Sequence, residues 1–135
     1  MNKQSAKEWL VKAWHNLSGA YIFYNANHYT DVTAVEIHYA AEKILKSIQA
    51  FHNKKILKTH NLTEIYANIN DYLNILPDDL DLLDIISEYH IEEAYPQYDR
   101  PLPSKEEIKQ VLDFTDALFN EVCSILNIDP QEVKK

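Results

Sequence analysis

The chain reads as an all-α protein, a single-domain, up-and-down bundle of four to five helices, on three observations. Apolar residues recur at spacings of three and four through most of its length. No stretch alternates with period two. Cap residues and breakers cut the pattern into helix-sized pieces, and three of the five prolines fall between Tyr95 and Pro103.

The first helix spans Ser5 to Asn27, with Leu10, Ala13, Trp14, Leu17, Ala20, Tyr21 and Tyr24 on one stripe. Asn27 to Thr30 form a polar turn, and Asp31 is expected to cap the next helix. That second helix, about Val32 to His52, turns Val35, Tyr39, Ala40, Ile44, Ile48 and Phe51 to one side. Asn53 to Lys58 connect it to a third helix through Leu62, Ile65, Tyr66, Ile69 and Leu73, with Asn61 as cap and Glu64 as its reciprocal partner. Asp78 and Asp79 open a fourth helix through Leu82, Leu83, Ile86 and Tyr89, where acids suit the positive end of the helix dipole. The segment YPQYDRPLP, Tyr95 to Pro103, is irregular because proline breaks a helix. Ser104 and Glu107 form a capping box for the last helix, whose stripe is Ile108, Val111, Leu112, Thr115, Leu118, Phe119, Val122 and Leu126. The core thus lies within about 6–126 of the single domain 1–135, and 127–135 form a short tail.

Composition narrows the function. At 135 residues the chain can build a core without metal or disulfide staples, and its net charge of −8 opposes generic, sequence-blind coating of nucleic acid. The single cysteine, Cys123, lies in an apolar helical stretch and reads as an inert core thiol in a reducing compartment. No apolar run of about eighteen residues and no leader-like start occur, so the expected location is the cytoplasm, with no membrane partner. With Gly19 as the only glycine, no Walker or dinucleotide loop is possible, and no cofactor is expected.

Charge is segregated along the chain. Lys43 to Thr63 contain five lysines and no acid, whereas Asp78 to Asp99 carry eight acids and no Lys or Arg. A basic concavity attracts phosphate locally even on an acidic protein. Three groups are candidates for such contacts. His38, Glu42 and Lys46 stand at i, i+4 and i+8 with Lys43 alongside; this is either a solvated face with a helix ion pair or a mouth where Lys43 or Lys46 meets phosphate. Lys58, Thr59, His60 and Asn61 lead into a helix, either to hold an anion or only to cap it. Tyr95, Tyr98 and Arg100 offer stacking faces and a guanidinium fork, or merely a rigid connection over the core edge.

Signatures of catalysis are missing. No Glu-x-x-His, His-x-x-x-His or His-Glu-x-x-His occurs, so neither a di-iron centre nor helix-borne zinc is expected. The six scattered histidines read as surface residues, with no metal and no catalytic set.

Together these segments resemble the HEPN family of small all-helical domains, over roughly Ala6 to Leu126. Family members commonly carry Gln-Gln-Ala-Ala-Glu-Lys-Ala-Leu-Lys on the second helix, and His38 to Lys46 here read HYAAEKILK. Their Lys-Thr-His-x-Leu element is intact as Lys58, Thr59, His60, Asn61 and Leu62. A tyrosine and then Arg-Tyr-Pro precede the last helix, matched by Tyr89 and by Ala94, Tyr95 and Pro96. His38 and Tyr39 replace the glutamine pair, and Ala94 stands where Arg is common, with Arg100 as a substitute. The nuclease members use Arg followed, after four to six residues, by His; the corresponding positions after Arg100 are Lys105, Glu106 and Glu107.

The resemblance therefore implies a noncatalytic module that binds a nucleotide or another phosphorylated small molecule. It implies ligand contacts from Glu42, Lys43, Lys46, Lys58, Thr59, His60, Tyr95 and Arg100. A minimal nucleotidyltransferase subunit is the implied partner, in a toxin–antitoxin or substrate-presenting role, with homodimerisation through helix pairing. The rival readings are an interaction-only helical adaptor and, less favoured, a ribonuclease toxin.

Overall fold

A computed structural model describes residues 1–96 and 100–135. It contains α1 (Lys3–Asn25), α2 (Thr30–Phe51), α3 (Leu62–Ile69), α4 (Pro77–Glu92) and α5 (Lys105–Ile125), then one 3₁₀ turn at Pro130–Glu132. No strand occurs among the described residues. The expected all-helical bundle is therefore present, with five α-helices among the described residues.

Helices α1 and α2 form an antiparallel hairpin. Asn2 caps α1 by accepting from the Ser5 N–H at 3.0 Å, and its own N–H donates to the Phe51 carbonyl at the far end of α2. Fourteen of the 22 residues of α2 are buried, since α1, α3, α4 and α5 all pack on it. Its buried surface includes Ala34, Ile37, Ala41 and Leu45 besides the expected Ala40, Ile44 and Ile48, whereas Val35 and Tyr39 are only half-buried. Helix α5 presents its whole expected stripe to the core, from Ile108 to Val122, with Leu126 buried just beyond it.

Three helices end in the same way, each without glycine. Asn27, Asn53 and Asn127 all adopt φ of 56°. Around each, two backbone bonds close a Schellman motif: His28 to Phe23 with Asn27 to Tyr24, Lys54 to Gln49 with Asn53 to Ala50, and Ile128 to Cys123 with Asn127 to Ser124. Asparagine visits the left-handed region more readily than other non-glycine residues, which explains how a chain with one glycine makes these stops.

Several local expectations need correction. Helix α2 starts at Thr30 with Tyr29 as its N-cap residue, and Asp31 lies in the first turn with its carboxylate on the Val32 N–H. Helix α3 stops at Ile69, although Leu73 beyond it stays buried. Helix α4 begins one residue before Asp78, at Pro77, whose fixed φ suits the first turn. Both capping boxes are half-made. Asn61 accepts from the Glu64 N–H and Ser104 from the Glu107 N–H. The Glu64 carboxylate instead takes the Thr59 hydroxyl, and Glu107 takes the Tyr89 hydroxyl. The 127–135 tail is packed: Val133 and Ile128 are buried, and the tail reaches α1 through Lys7 with Glu132 and Lys134 over Trp14. No described helix is long and apolar enough to cross a membrane.

Candidate functional site

A cluster of ionisable groups sits where α2, the entry to α3 and α4 meet. On α2, His38, Glu42 and Lys46 share a face, as their spacing requires, but the face points inward. Their exposures are 0%, 5% and 6%. The solvated-face reading is therefore wrong, because a second apolar stripe (Ala34, Ile37, Ala41, Leu45) draws that side into the bundle.

Glu42 is the hub. Its Oε1 lies 2.7 Å from His60 Nδ1 and 3.2 Å from His38 Nε2, and its Oε2 accepts from Lys46 Nζ at 3.1 Å. Burial raises the pKa of this carboxyl, but hydrogen bonds from His38, His60 and Lys46, with the Lys46 charge, bring it from 4.5 down to about 2. Glu42 is thus a fixed buried anion balanced by its neighbours.

His38 is held from both sides. Its Nδ1 stands 2.8 Å from the Ile86 carbonyl of α4, an acceptor only, so Nδ1 must carry a proton. Its Nε2 faces the Glu42 carboxylate.

His90 completes the cluster from α4. Its ring stacks on His60 with centroids 4.0 Å apart and on His38 at 5.3 Å, with Tyr39 edge-on at 6.2 Å. Its Nδ1 is buried without a hydrogen-bond partner among the described residues. Burial first, then the charges of His60 and His38, lower the His90 pKa, with Glu42 pulling it back. Three of the six histidines therefore converge, contrary to the reading of scattered surface residues. One ligand-capable nitrogen from each lies within 4.8 Å of the others. The His60–His90 pair opens onto a groove of about 360 Å³ lined by His60, Asn61, Ser87, Glu88, His90 and Ile91.

The other sequence candidates are dispersed. Lys46 is buried on Glu42 and reaches over the Trp9 ring. Lys43 points away, to Asn16 Oδ1 at 2.7 Å on α1. Thr59 braces the entry to α3 by accepting from the Asn61 N–H, and the exposed Lys58 precedes it. Arg100 is occupied by Glu92 at 2.6 Å and Glu93 at 3.1 Å, beside a separate hollow that Asp31 and the exposed Tyr95 also line. That hollow is acidic and is not shared with the histidine groove. Tyr98 lies outside the described residues. Cys123 is fully buried, and burial raises its thiol pKa to about 11.

His38 and His90 are the site residues that sequence reasoning missed as a set. A faint signal existed: His38 lies four residues after Ala34 and one after Ile37, on the stripe that turns inward.

Comparison with known proteins agrees with the architecture. A crystal structure of TT1696 from Thermus thermophilus superposes with a TM-score of 0.76 at 21% identity, covering 93% of this chain and 99% of that one. ST0689, an archaeal HEPN homologue, superposes with a TM-score of 0.69 at 16% identity, covering 90% of this chain and 97% of that one. No curated protein matches. Residues 6–126 match the HEPN domain family model, and with that span, this order of helices and the KTHNL element at the mouth of the groove, the chain belongs to the HEPN family.

Proposed function

We propose that this HEPN chain is a noncatalytic module that binds a nucleotide or another phosphorylated ligand in the groove beside the start of α3. The observation that carries the reading is the exposed His60 on the rim of that groove, anchored from beneath by Glu42 at 2.7 Å. Its Nδ1 is committed to the carboxylate, so Nε2 is the nitrogen left to meet a ligand. Lys58, exposed and two residues before His60 in the chain, adds a cation, and the α3 N-terminus adds its dipole. Thr59 and Asn61 hold that helix start in place.

In this reading Lys46 and Glu42 support His60 instead of touching the ligand, and Lys43, Tyr95 and Arg100 stand apart from the groove lining. Glu88 lines the groove and works against an anion, so binding is modest and strongly weakened by salt. A nucleotidyltransferase subunit is the proposed partner, in a toxin–antitoxin or substrate-presenting pair, and a homodimer is the proposed assembly. An interaction-only role is the second reading, favoured by Ile91, 59% exposed on the edge of the same groove.

Calorimetric titration with ATP and GTP at low and high salt tests the ligand. Binding that falls on His60→Ala and Lys58→Ala supports the groove. No heat with either nucleotide, or binding unchanged in both variants, overturns it and leaves the interaction role.

A further inference from the structure

We infer that His38, His60 and His90 form a binding site for one divalent transition-metal ion of the zinc type. The three donors come from three separate elements, α2, the entry to α3 and α4, yet their ligand-capable nitrogens lie within 4.8 Å of one another. Tetrahedral zinc with nitrogen ligands at about 2.0–2.1 Å places those nitrogens roughly 3.3 Å apart. The nitrogens that approach within 4.8 Å, one per ring, must therefore close by at most about 1.5 Å, with any ring turn needed to present the donor named below. His60 is the exposed member and stands on the connection before α3, whereas His38 and His90 stand on helices.

Each ring also has the support that a metal ligand needs. A ligating imidazole commonly donates its other N–H to a carbonyl or carboxylate, which fixes the tautomer and raises its basicity. His38 Nδ1 meets the Ile86 carbonyl at 2.8 Å, so Nε2 is its donor, and a metal there would take the place of the present 3.2 Å contact with Glu42 Oε1. His60 Nδ1 meets Glu42 Oε1 at 2.7 Å, which likewise leaves Nε2. His90 offers a buried Nδ1 that no group among the described residues satisfies.

A ring stack alone leaves one feature unexplained. Nothing in stacking requires a buried nitrogen without a partner among the described residues, a costly arrangement. A cation held by the three nitrogens answers it, and the Glu42 carboxylate beside the cluster offsets the charge.

Three imidazoles leave a fourth position on a tetrahedral ion, and the groove supplies the space for water or a ligand atom there. Three neutral imidazoles suit zinc, copper or nickel over magnesium or calcium, which favour oxygen donors. The inference goes beyond the ligand reading above; with the ion bound, His60 Nε2 is taken, and an anionic ligand would meet the ion's fourth position in place of that nitrogen.

The test uses the full chain with any affinity tag removed, because a tag itself takes metal. After incubation with zinc and gel filtration, elemental analysis should give about one zinc per chain. Cobalt in its place should show the visible bands of a four-coordinate ion. His90→Phe keeps the ring stack but deletes the donor, so it should lose the metal while the metal-free protein melts as the wild type does. Glu42→Gln should weaken zinc binding about ten- to hundredfold. Wild-type protein without stoichiometric zinc, or His90→Phe holding as much as wild type, overturns the site. Nucleotide titration of the metal-free protein is a separate arm: its failure alongside intact zinc binding removes only the ligand reading.

Discussion

Replacing Glu42 by Gln tests whether the buried hub organises this end of the bundle. The carboxylate accepts from Lys46 and His60 and faces His38, and hydrogen bonds to a charged group contribute about 1.5–3 kcal/mol each. The His60 share is small, because that side chain is 52% exposed and water replaces the lost partner. Lys46 and His38 have no such recourse at 6% and 0% exposure. Removing one member of a buried ion pair costs about 3–5 kcal/mol, and the Gln carbonyl retains one acceptor, so a loss of about 3 kcal/mol is expected. For a domain of this size that lowers the melting temperature by roughly 10 °C. Urea unfolding should show a lower midpoint at unchanged slope. Glu42→Gln with Lys46→Met removes the stranded ammonium and should recover at least half of the loss, since apolar replacement of a buried pair is often close to neutral. A single-variant loss under about 1 kcal/mol, or a double variant no better than the single, would refute the hub.

Two further outcomes follow from the packing. Asn27→Ala, Asn53→Ala and Asn127→Ala should each destabilise by about 1 kcal/mol, because alanine resists the left-handed φ of 56°, whereas the Gly variants should unfold at or above the wild-type midpoint. Equal midpoints for Ala and Gly in urea titrations would contradict this account. The Cys123 thiol, fully buried with its pKa pushed up to about 11, should stay unreactive toward a thiol reagent at neutral pH and react at once in denaturant. Rapid labelling of the folded protein would show that the α5 core opens locally.

The bundle was legible because its signals are local. A 3–4 stripe such as that of α5 lies on a single helix, and Ser104 announces its start within three residues. Helix α2 was harder, because it is covered from several sides and therefore carries two stripes, of which Val35 and Tyr39 mark the less buried edge. Following Ala34, Ile37, Ala41 and Leu45 would have turned His38 and Glu42 inward. Helix stops were obscured for a different reason: asparagine serves in loops, caps and turns alike, so Asn53 alone does not announce a left-handed residue.

The histidine cluster lies beyond either kind of local pattern. His38, His60 and His90 are separated by 22 and then 30 residues, and no two share a helix, so no helical spacing rule links them. What joins them is tertiary: α4 crosses α2 so that the Ile86 carbonyl reaches His38, and the Thr59–Asn61 entry swings His60 over Glu42. The charge pattern points to lysines that the fold commits elsewhere. The acid-free stretch after Glu42 draws attention to lysines, yet Lys43 turns to α1 and Lys46 is spent on Glu42. The chemically available nitrogens belong instead to histidines, which formal charge counts as neutral, and one of them comes from the acidic helix α4. A charge profile cannot register donors of that kind, whereas a search for imidazoles brought together by helix crossing can.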